Sequence, residues 1–462
     1  MPKRNLVWIL VAAAGALVTV WVTRTPEAPP TGRDPALEEV QQAYRLITRL
    51  CGGVPLHRLQ QGAVQGMVTA VDDYSSFVPG EKAARFQARL AGLGQGLGLV
   101  IERRGPVAVV AQVQHGSPSW RAELERGDVL VEVDGRDCRY LTESELSALM
   151  DDRPLGEAVE LTVLRGPGCG PVRLSLVCAQ FPLESIEGLY RGDDGQWAHQ
   201  LATPEGLAYL RVREFLPRTA QELLMALRRQ RRLEGLVLDL RGNPGGLLTS
   251  AVEVADLFLS EGLIVSVVGE PGQELRDYRA RPDGTLPNEL AMVVLVDGGT
   301  ASAAEVVAGA LQTHSRALLV GQPTRGKDCL QSMVELPLGQ ANLTTGRLVL
   351  ARMAGEAAAT KPPSALPLAP DVREQVLPAN RMALHELSVR AGQLYRRGVD
   401  GSRDKGAPAT QVDPADFIRQ RLALDAPLAA AAGLLEQPEQ LREVLERKSQ
   451  PRRAATQPAE RE

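Results

Sequence analysis

Two polar residues, Ser302 and Lys327, each follow a short apolar stretch of strand type and together could carry out acyl transfer. Ser302 comes after the run VVLV and the turn DGGT, and it precedes the helix-type stretch AAEVVAGAL. A serine at a helix N-terminus has free N–H groups beside it, which stabilise a developing oxyanion. Lys327 follows a second apolar run, 317–320, and is the available base. We therefore predict a serine nucleophile and a lysine base on one sheet, although each residue alone is typical of a polar turn or a solvated charge.

The wider pattern around both residues resembles the carboxy-terminal processing proteases, also called tail-specific proteases. The matching segments are GGTASAAE around the serine, LLVGQPTRGK ending at the lysine, and a glutamine four positions later. The resemblance implies that Ser302 is the nucleophile, that Lys327 is its base and that Gln331 orients the lysine. It also implies that Glu305 and Thr324 support the site.

The chemistry implied by this resemblance is that of a serine-type endopeptidase. A lysine acts as a base only when neutral, although its ordinary pKa is about 10.4. We expect apolar neighbours such as Val320 and Leu330 to favour the neutral form by desolvation. Ser302 would attack a peptide carbonyl, and Lys327 would then activate the water that releases the acyl-enzyme. This mechanism requires no metal and no other cofactor.

A second turn, DLRGNPGG, follows the apolar segment 235–240. Glycines at a strand end let a backbone N–H approach a substrate closely. In the family this turn supplies one oxyanion donor, and the residue after the nucleophile, here Ala303, supplies the other. The choice between Gly245 and Gly246 is open, as is an ordinary tight turn. The alternation of apolar strands with amphipathic helices around these turns predicts an α/β core.

The region before this core resembles a PDZ domain, because GSP, GDVLV and VDG follow one another in the usual order. Its glycine-rich start is predicted to bind a terminal carboxylate through backbone N–H groups, and the helix 142–150 is predicted to line the peptide groove. A small β-domain without a ligand is the alternative. The predicted peptide contacts are Gly96, Leu97, Gly98, Leu99, Leu146 and Met150.

The N-terminus is predicted to be a membrane segment. Lys3 and Arg4 precede Leu6–Val22, an apolar run of about 17 residues that is just long enough to span a bilayer. The basic pair predicts that this end stays cytoplasmic. We favour an uncleaved single-pass anchor in the cell envelope with the catalytic domain on the extracytoplasmic side. A cleaved signal peptide, which would release a periplasmic protein, is the alternative.

Several other functions are disfavoured. A net charge of −4 argues against a nucleic-acid partner. The five histidines show no zinc-hydrolase spacing, and the GxxxxGK match ending at Lys327 is followed by Asp328 instead of Ser or Thr. An esterase is disfavoured because Ser302 lacks the GxSxG context. The five cysteines show no metal-type spacing, and their pairing is left open.

The predicted fold is an α/β protease core with an inserted β-rich PDZ domain and helical N- and C-terminal regions. The predicted function is an exported, membrane-anchored endopeptidase that recognises free, apolar C-termini of proteins or peptides. The alternative is a catalytically silent anchored PDZ scaffold. Asp328 after the lysine, and the lack of a Tyr-Tyr-Thr-Pro-type segment past Gly346, leave the substrate range open. The predicted divisions are 1–24 (membrane segment), 25–36 (linker), 37–90 (helical region), 91–180 (PDZ domain), 181–378 (protease core) and 379–462 (helical region with a disordered tail).

Overall fold

The structure is a computed structural model in which the chain divides into two compact units, residues 1–67 and 68–462. The predicted membrane segment, Leu6–Val22, lies outside the described residues, as do most of the linker and of the tail predicted to be disordered. In the part of the chain that is described, no helix is both long and apolar enough to cross a membrane. The described residues are 35–51, 53–151, 153–165, 170–191, 196–201, 206–269, 276–283, 286, 289–350, 366–391 and 413–449.

The N-terminal region is helical, as predicted, and ends in a short strand and a further helix. Its elements are α1 (Pro35–Leu50), α2 (Leu56–Thr69), β1 (Ser76–Pro79) and α3 (Gly80–Leu90). The carboxylate of Asp72 accepts the N–H groups of Tyr74 at 2.8 Å and Ser75 at 2.6 Å, which fixes the turn before β1. Strand β1 pairs with residues 339–342, so the chain joins a sheet of the predicted protease core before the predicted PDZ domain begins.

The PDZ domain is an antiparallel sheet in the order β3-β4-β5-β7-β8, with β6 paired to β5. Alternate residues of β7, among them Val159 and Leu161, are buried, as expected when one face of a sheet packs on a core. Strands β2 and β9 pair with each other and bring the two ends of the domain together, which confirms the predicted insertion. The elements are β2 (Leu93–Gly96), β3 (Leu99–Arg104), β4 (Val107–Val113), α4 (Pro118–Arg121), β5 (Val129–Val133), β6 (Arg136–Asp137), α5 (Glu143–Asp151), β7 (Ala158–Leu164), β8 (Pro171–Val177) and β9 (Ala179–Pro182).

The protease region confirms the predicted α/β core, because β13, β14, β17, β18 and β21 form a parallel sheet. All six residues of β17 are buried, as expected of a strand with both faces covered. Thr219 is the first residue of α6, and its hydroxyl accepts the N–H of Leu216 at 2.8 Å. The elements are β10 (Ile186–Glu187), β11 (Tyr190–Arg191), β12 (Trp197–Ala198), β13 (Leu207–Val212), α6 (Thr219–Arg228), β14 (Gly235–Asp239), α7 (Leu248–Asp256), β15 (Leu263–Gly269), β16 (Arg276–Arg279), β17 (Ala291–Val296), α8 (Ala303–Thr313), β18 (Leu318–Gly321), β19 (Cys329–Leu336), β20 (Gly339–Leu350) and β21 (Val372–Arg373).

The C-terminal helices form a layer of this core. Leu236 and Leu238 of β14 pack with α6, α7 and α8, whereas Val237 between them packs with Phe417 and Leu428 on the opposite face. The sheet is therefore buried between two helical layers, and the second one comes from the C-terminal region. Its elements are α9 (Pro378–Ala391), α10 (Pro414–Leu424), α11 (Ala426–Leu435) and α12 (Pro438–Ser449).

A buried charge cluster joins this C-terminal layer to the turn after β14. Arg241 donates to Asp239 at 2.6 Å and to Asp425, the N-cap of α11, also at 2.6 Å. Both carboxylates are 1% exposed. Burial alone would raise the pKa of Asp239, but the Arg241 guanidinium outweighs this effect and holds the pKa well below its usual range. The turn that carries Gly245 is therefore attached to the C-terminal helices by ion pairs that are screened much less than surface pairs.

We expect Asp425→Asn to lower the free energy of unfolding by about 3 kcal/mol, because it leaves the buried Arg241 with one carboxylate in place of two. Asparagine still caps α11, so the helix itself is preserved. Urea denaturation of the purified variant measures the change. Asp416→Asn, which removes an exposed partner of Arg419, is the matched control and should cost less than about 1 kcal/mol. Equal losses in the two variants would contradict a special role for the buried pair.

Candidate active site

Ser302 lies at the predicted turn between β17 and α8, as the N-cap of the helix. Its φ of 55° and ψ of −119° belong to a region that residues other than glycine rarely adopt. Such strain persists only where the surroundings hold the backbone in place. Here the Ala301 N–H donates to the Asn243 carbonyl at 3.0 Å, and the Thr300 hydroxyl donates to the Leu240 carbonyl at 2.9 Å. The strained serine is thus fixed against the turn after β14.

The carboxylate of Glu305, which is fully buried, joins the serine turn to the lysine turn. Its Oε2 accepts the N–H of Ser302 and the N–H of Lys327, both at 2.9 Å. Its Oε1 accepts the Thr324 hydroxyl at 2.5 Å and the Gly326 N–H at 2.7 Å. Four donors therefore converge on one carboxylate, and two of them belong to the residues predicted to be nucleophile and base.

The Lys327 side chain is held by Gln331, as the family pattern predicts, and by Tyr74. Its Nζ donates to Gln331 Oε1 at 2.9 Å, and Gln331 Nε2 in turn donates to the Tyr74 carbonyl at 2.5 Å. The same Nζ lies 5.1 Å from the centre of the Tyr74 ring, within cation–π range. Ser302 Oγ and Lys327 Nζ, both among the described residues, are not hydrogen-bonded to each other.

Tyr74 is the residue at this site that sequence reasoning missed. The sequence signal for Tyr74 was the aspartate-rich turn DDYSS. This turn resembles one in the family, but its residues indicate only a structural role. Its contact with Gln331 uses a backbone carbonyl, which carries no residue-specific pattern in the sequence. Only the pairing of β1 with β20 brings this turn beside β19 and the lysine.

The two glycines of the turn after β14 differ in what they face. Both have positive φ, 110° at Gly245 and 130° at Gly246. A Cβ on Gly245 would lie 3.0 Å from Ser302 Cβ and 3.2 Å from the Ala303 nitrogen, whereas a Cβ on Gly246 would lie 2.3 Å from the Phe215 carbonyl oxygen. A side chain would be crowded at both positions. Because Gly245 carries none, the backbone of this turn approaches Ser302 closely.

The N–H groups of the same turn differ in their partners. The Gly245 N–H donates to the Asn243 side chain at 2.8 Å. Within the described residues, no acceptor bonds the N–H of Gly246 or that of Ala303, which is the first residue of α8. Two unpaired N–H groups therefore remain on the two segments that meet at Ser302.

The sequence left the pairing of the five cysteines open. Among the described residues, Cys51, Cys138, Cys178 and Cys329 form no disulfide, and Cys169 lies outside those residues. Cys329, near Lys327 in sequence, is buried, and this burial raises the pKa of its thiol. Among the described residues, no cluster of His, Cys, Asp and Glu side chains could hold a metal ion.

The predicted peptide contacts of the PDZ domain divide into buried side chains and a glycine-rich backbone. The four apolar side chains are at most 7% exposed and belong to one core cluster; they are Leu97, Leu99, Leu146 and Met150. A Cβ on Gly98, where φ is 76°, would meet Ser117 Cβ at 2.2 Å. Gly96 also has positive φ, 109°. The glycine turn that the prediction requires is therefore present. The side chains of the three leucines and the methionine, however, lie in the core of the domain and do not line a groove.

Comparison with known proteins agrees with this organisation. Residues 206–360 match the family model for peptidase family S41, and residues 109–165 match a PDZ domain model. A carboxy-terminal-processing protease of Bartonella bacilliformis is 32% identical over 289 residues, which cover 61% of this chain and 63% of that protein. The carboxy-terminal processing protease CtpA of Bacillus subtilis is 29% identical over 282 residues, which cover 60% of this chain and 57% of that protein. The chain therefore contains a region that matches peptidase family S41 and a PDZ domain, and it is similar to carboxy-terminal processing proteases.

These matches confirm the resemblance from which the fold was predicted. Among solved structures, a photosystem II D1 C-terminal processing protease aligns with 78% of this chain and 100% of its own, at 24% identity. The TM-score of this alignment is 0.40. The chain spans less than two thirds of the length of the two curated relatives named above.

We expect Glu305→Gln to lower the free energy of unfolding by about 2 kcal/mol. The amide NH₂ would replace one of the two acceptor oxygens. In one orientation it would face the N–H groups of Ser302 and Lys327, and in the other it would face the N–H of Gly326. Hydrogen bonds to a charged group are worth about 1.5–3 kcal/mol. Chemical denaturation measures the change. Glu335→Gln makes the same substitution at an exposed position of β19 and should be nearly neutral. A neutral Glu305→Gln would show that the carboxylate does not hold the two turns together.

Proposed function

We propose that this chain is a serine endopeptidase that uses Ser302 as nucleophile, Lys327 as base and Gln331 to position the lysine. The observation that carries the proposal is the Glu305 carboxylate, which bonds the backbone of both Ser302 and Lys327. The Gln331 amide oxygen accepts from the lysine amine, and being neutral it does not favour the charged amine as a carboxylate would. The match of residues 206–360 to peptidase family S41 supports the same assignment.

In this mechanism Ser302 Oγ attacks the peptide carbonyl while Lys327 Nζ takes the hydroxyl proton. The lysine then donates that proton to the leaving amine, and an acyl-enzyme remains. Water, deprotonated by Lys327, attacks the ester and releases the second product. The absence of a hydrogen bond between the two side chains in the free enzyme is compatible with this role, because catalytic hydrogen bonds often form only with substrate bound.

The oxyanion of the tetrahedral intermediate would be stabilised by the Ala303 N–H and one glycine N–H of the turn after β14. Gly246 is the better donor of the two glycines, because its N–H makes no hydrogen bond within the described structure while that of Gly245 donates to Asn243. Gly245 contributes by letting the turn approach Ser302. Thr324 acts through Glu305, which accepts its hydroxyl hydrogen.

The substrates would be proteins or peptides whose free, apolar C-termini bind the PDZ domain. The glycine turn at Gly96–Gly98 supports this, since successive backbone N–H groups in such a turn bind a carboxylate. We further propose that Leu6–Val22 anchors the chain in the membrane with the protease on the extracytoplasmic side. The apolar run and the Lys3/Arg4 pair support that topology.

The test uses the full-length protein in detergent and two peptides that differ only at an apolar C-terminus, one a free carboxylate and the other an amide. We expect the free carboxylate to be cut with the higher kcat/KM. Ser302→Ala and Lys327→Ala should each reduce kcat by at least about a thousandfold, because the residues of such a site act as a unit. Ser175→Ala, on an exposed position of β8, is the matched control.

Each unfavourable result has a distinct meaning. Cleavage that survives Ser302→Ala would show that another residue is the nucleophile. Binding of the free-carboxylate peptide without cleavage by the wild type would favour the silent PDZ scaffold. If the free-carboxylate peptide and the amide peptide are cut equally well, the peptidase assignment stands and the proposed specificity for a free C-terminus is wrong.

Tyr74 offers a second test of the lysine's environment. We expect Tyr74→Phe to retain activity, because it keeps both the ring over Lys327 and the backbone carbonyl that holds Gln331. Tyr74→Ala removes only the ring and should lower kcat about fivefold, the equivalent of about 1 kcal/mol of cation–π interaction. Steady-state kinetics on the preferred peptide measures both variants. Equal activity of the phenylalanine and alanine variants would show that the ring does not position the amine.

A further inference from the structure

The side-chain amide of Gln331 has two chemically different ends, and its partners determine which end faces the lysine. The amide oxygen accepts from Lys327 Nζ at 2.9 Å, and the amide nitrogen donates to the Tyr74 carbonyl at 2.5 Å. A carbonyl oxygen only accepts hydrogen bonds, so the NH₂ end is the one that faces Tyr74. The Tyr74 carbonyl therefore turns the oxygen end of the amide toward the lysine amine.

This orientation of the amide is important for a lysine that acts as a base. A neutral amine has two hydrogens and one lone pair, and the lone pair is what takes the proton of the serine hydroxyl. The Gln331 oxygen occupies one hydrogen of the amine and leaves the lone pair available. With the opposite orientation, the NH₂ end would donate to the lone pair of Lys327 and compete with the Ser302 hydroxyl for it.

Asp72 fixes the direction of the Tyr74 carbonyl through the turn before β1. Its Oδ1 accepts the N–H of Tyr74 at 2.8 Å and the N–H of Ser75 at 2.6 Å, as in an Asx-turn. The Ser75 N–H and the Tyr74 carbonyl belong to one planar trans peptide, in which they point in opposite directions. Because the N–H points at Asp72, the carbonyl points away from it and meets Gln331.

Strand β20 holds both the turn and the glutamine. The Thr344 N–H donates to the Ser75 hydroxyl at 3.2 Å, and Thr344 also lies opposite Gln331 in the pairing of β19 with β20. The register of this pairing shifts between Leu330 and Gln331. Such irregularities re-aim a side chain. The Tyr74 carbonyl and the Gln331 amide are therefore both placed relative to the same residue of β20.

We propose that Asp72 is a positioning residue for the base. Through the peptide between Tyr74 and Ser75 it fixes the amide of Gln331, and the amide in turn leaves the lone pair of Lys327 available. The inference rests on the proposed peptidase function and adds to it a residue that precedes the PDZ domain in the chain. The competing explanation is that Asp72 only stabilises the turn.

Steady-state kinetics of the full-length protein on the preferred peptide gives the first test. We expect Asp72→Ala to lower kcat about tenfold, which corresponds to about one hydrogen bond, with little change in KM. Asp72→Asn should retain most of the activity, because its amide oxygen accepts the same two N–H groups. Asp73→Ala removes the same charge at the exposed neighbouring position and is the matched control. Thermal unfolding checks that each variant is folded.

A double-mutant cycle tests whether Asp72 acts through Gln331. All proteins in the cycle carry Tyr74→Ala, which keeps the backbone carbonyl and removes any effect of the ring on Lys327. We expect Asp72→Ala to lower kcat when Gln331 is present and to have little further effect in Gln331→Ala. Independent losses that multiply would overturn the proposal and leave Asp72 with a role in stability alone.

A spectrum of the Gln331 amide tests the same inference without cleavage. The full-length protein is labelled with ¹⁵N in the glutamine side chains, and the NH₂ signal of Gln331 is identified by its loss in Gln331→Ala. We expect this signal to move in Asp72→Ala and to stay in place in Asp72→Asn and Asp73→Ala. A signal that does not move in Asp72→Ala would overturn the proposal.

The two measurements separate this inference from the peptidase assignment. A wild-type protein that cuts no peptide, together with a Gln331 signal that moves in Asp72→Ala, would contradict the peptidase and retain the control of the amide by Asp72. Cleavage that depends on Ser302 and Lys327 but is unaffected by Asp72→Ala would retain the peptidase and contradict the positioning role.

Discussion

The site depends on one buried carboxylate that must be satisfied by hydrogen bonds. Glu305 has no exposed surface, and an ionised carboxylate without partners would be very costly there. The chain supplies three backbone N–H groups and one hydroxyl, from Ser302, Thr324, Gly326 and Lys327. Because those donors belong to two turns that follow different strands, satisfying the charge also fixes the turns against each other. The relative position of Ser302 and Lys327 therefore follows from the requirements of the core.

A second set of charges, around Arg241, has the same effect on the turn after β14. Arg241 is satisfied by Asp239 on β14 and by Asp425 at the start of α11. Neighbouring Gly242 donates its N–H to Asp297, which begins the turn leading to Ser302. The C-terminal helices thus position a loop of the site although they contribute no side chain to it. The family model, which ends at residue 360, does not include this layer.

The parts of the fold that were predictable are those whose signal is local. The apolar run, turn and helix around Ser302 specify a strand-to-helix turn, and β17 and α8 form it as predicted. Leu146 and Met150 are apolar and four positions apart, which indicates a buried helix face. That pattern does not distinguish a helix that lines a peptide groove from one that packs on the core. The structure places both side chains in the core. Tyr74 and Asp425 were not identified because their contacts join segments far apart in sequence. Such contacts depend on tertiary packing and leave no periodic pattern.

The strain at Ser302 explains why so many bonds converge on this turn. A non-glycine residue with positive φ costs about 1–3 kcal/mol, so the turn would relax if its neighbours did not hold it. The bonds of Glu305, Asn243 and Leu240 hold the backbone on both sides of the serine. With the backbones of both turns fixed, the remaining adjustment that brings the lysine amine toward Ser302 Oγ is rotation of the Lys327 side chain. Rotation of a side chain that is not fully buried is fast compared with typical enzyme turnover, so a rigid backbone at Ser302 is compatible with movement of the lysine amine from Gln331 toward Ser302 Oγ.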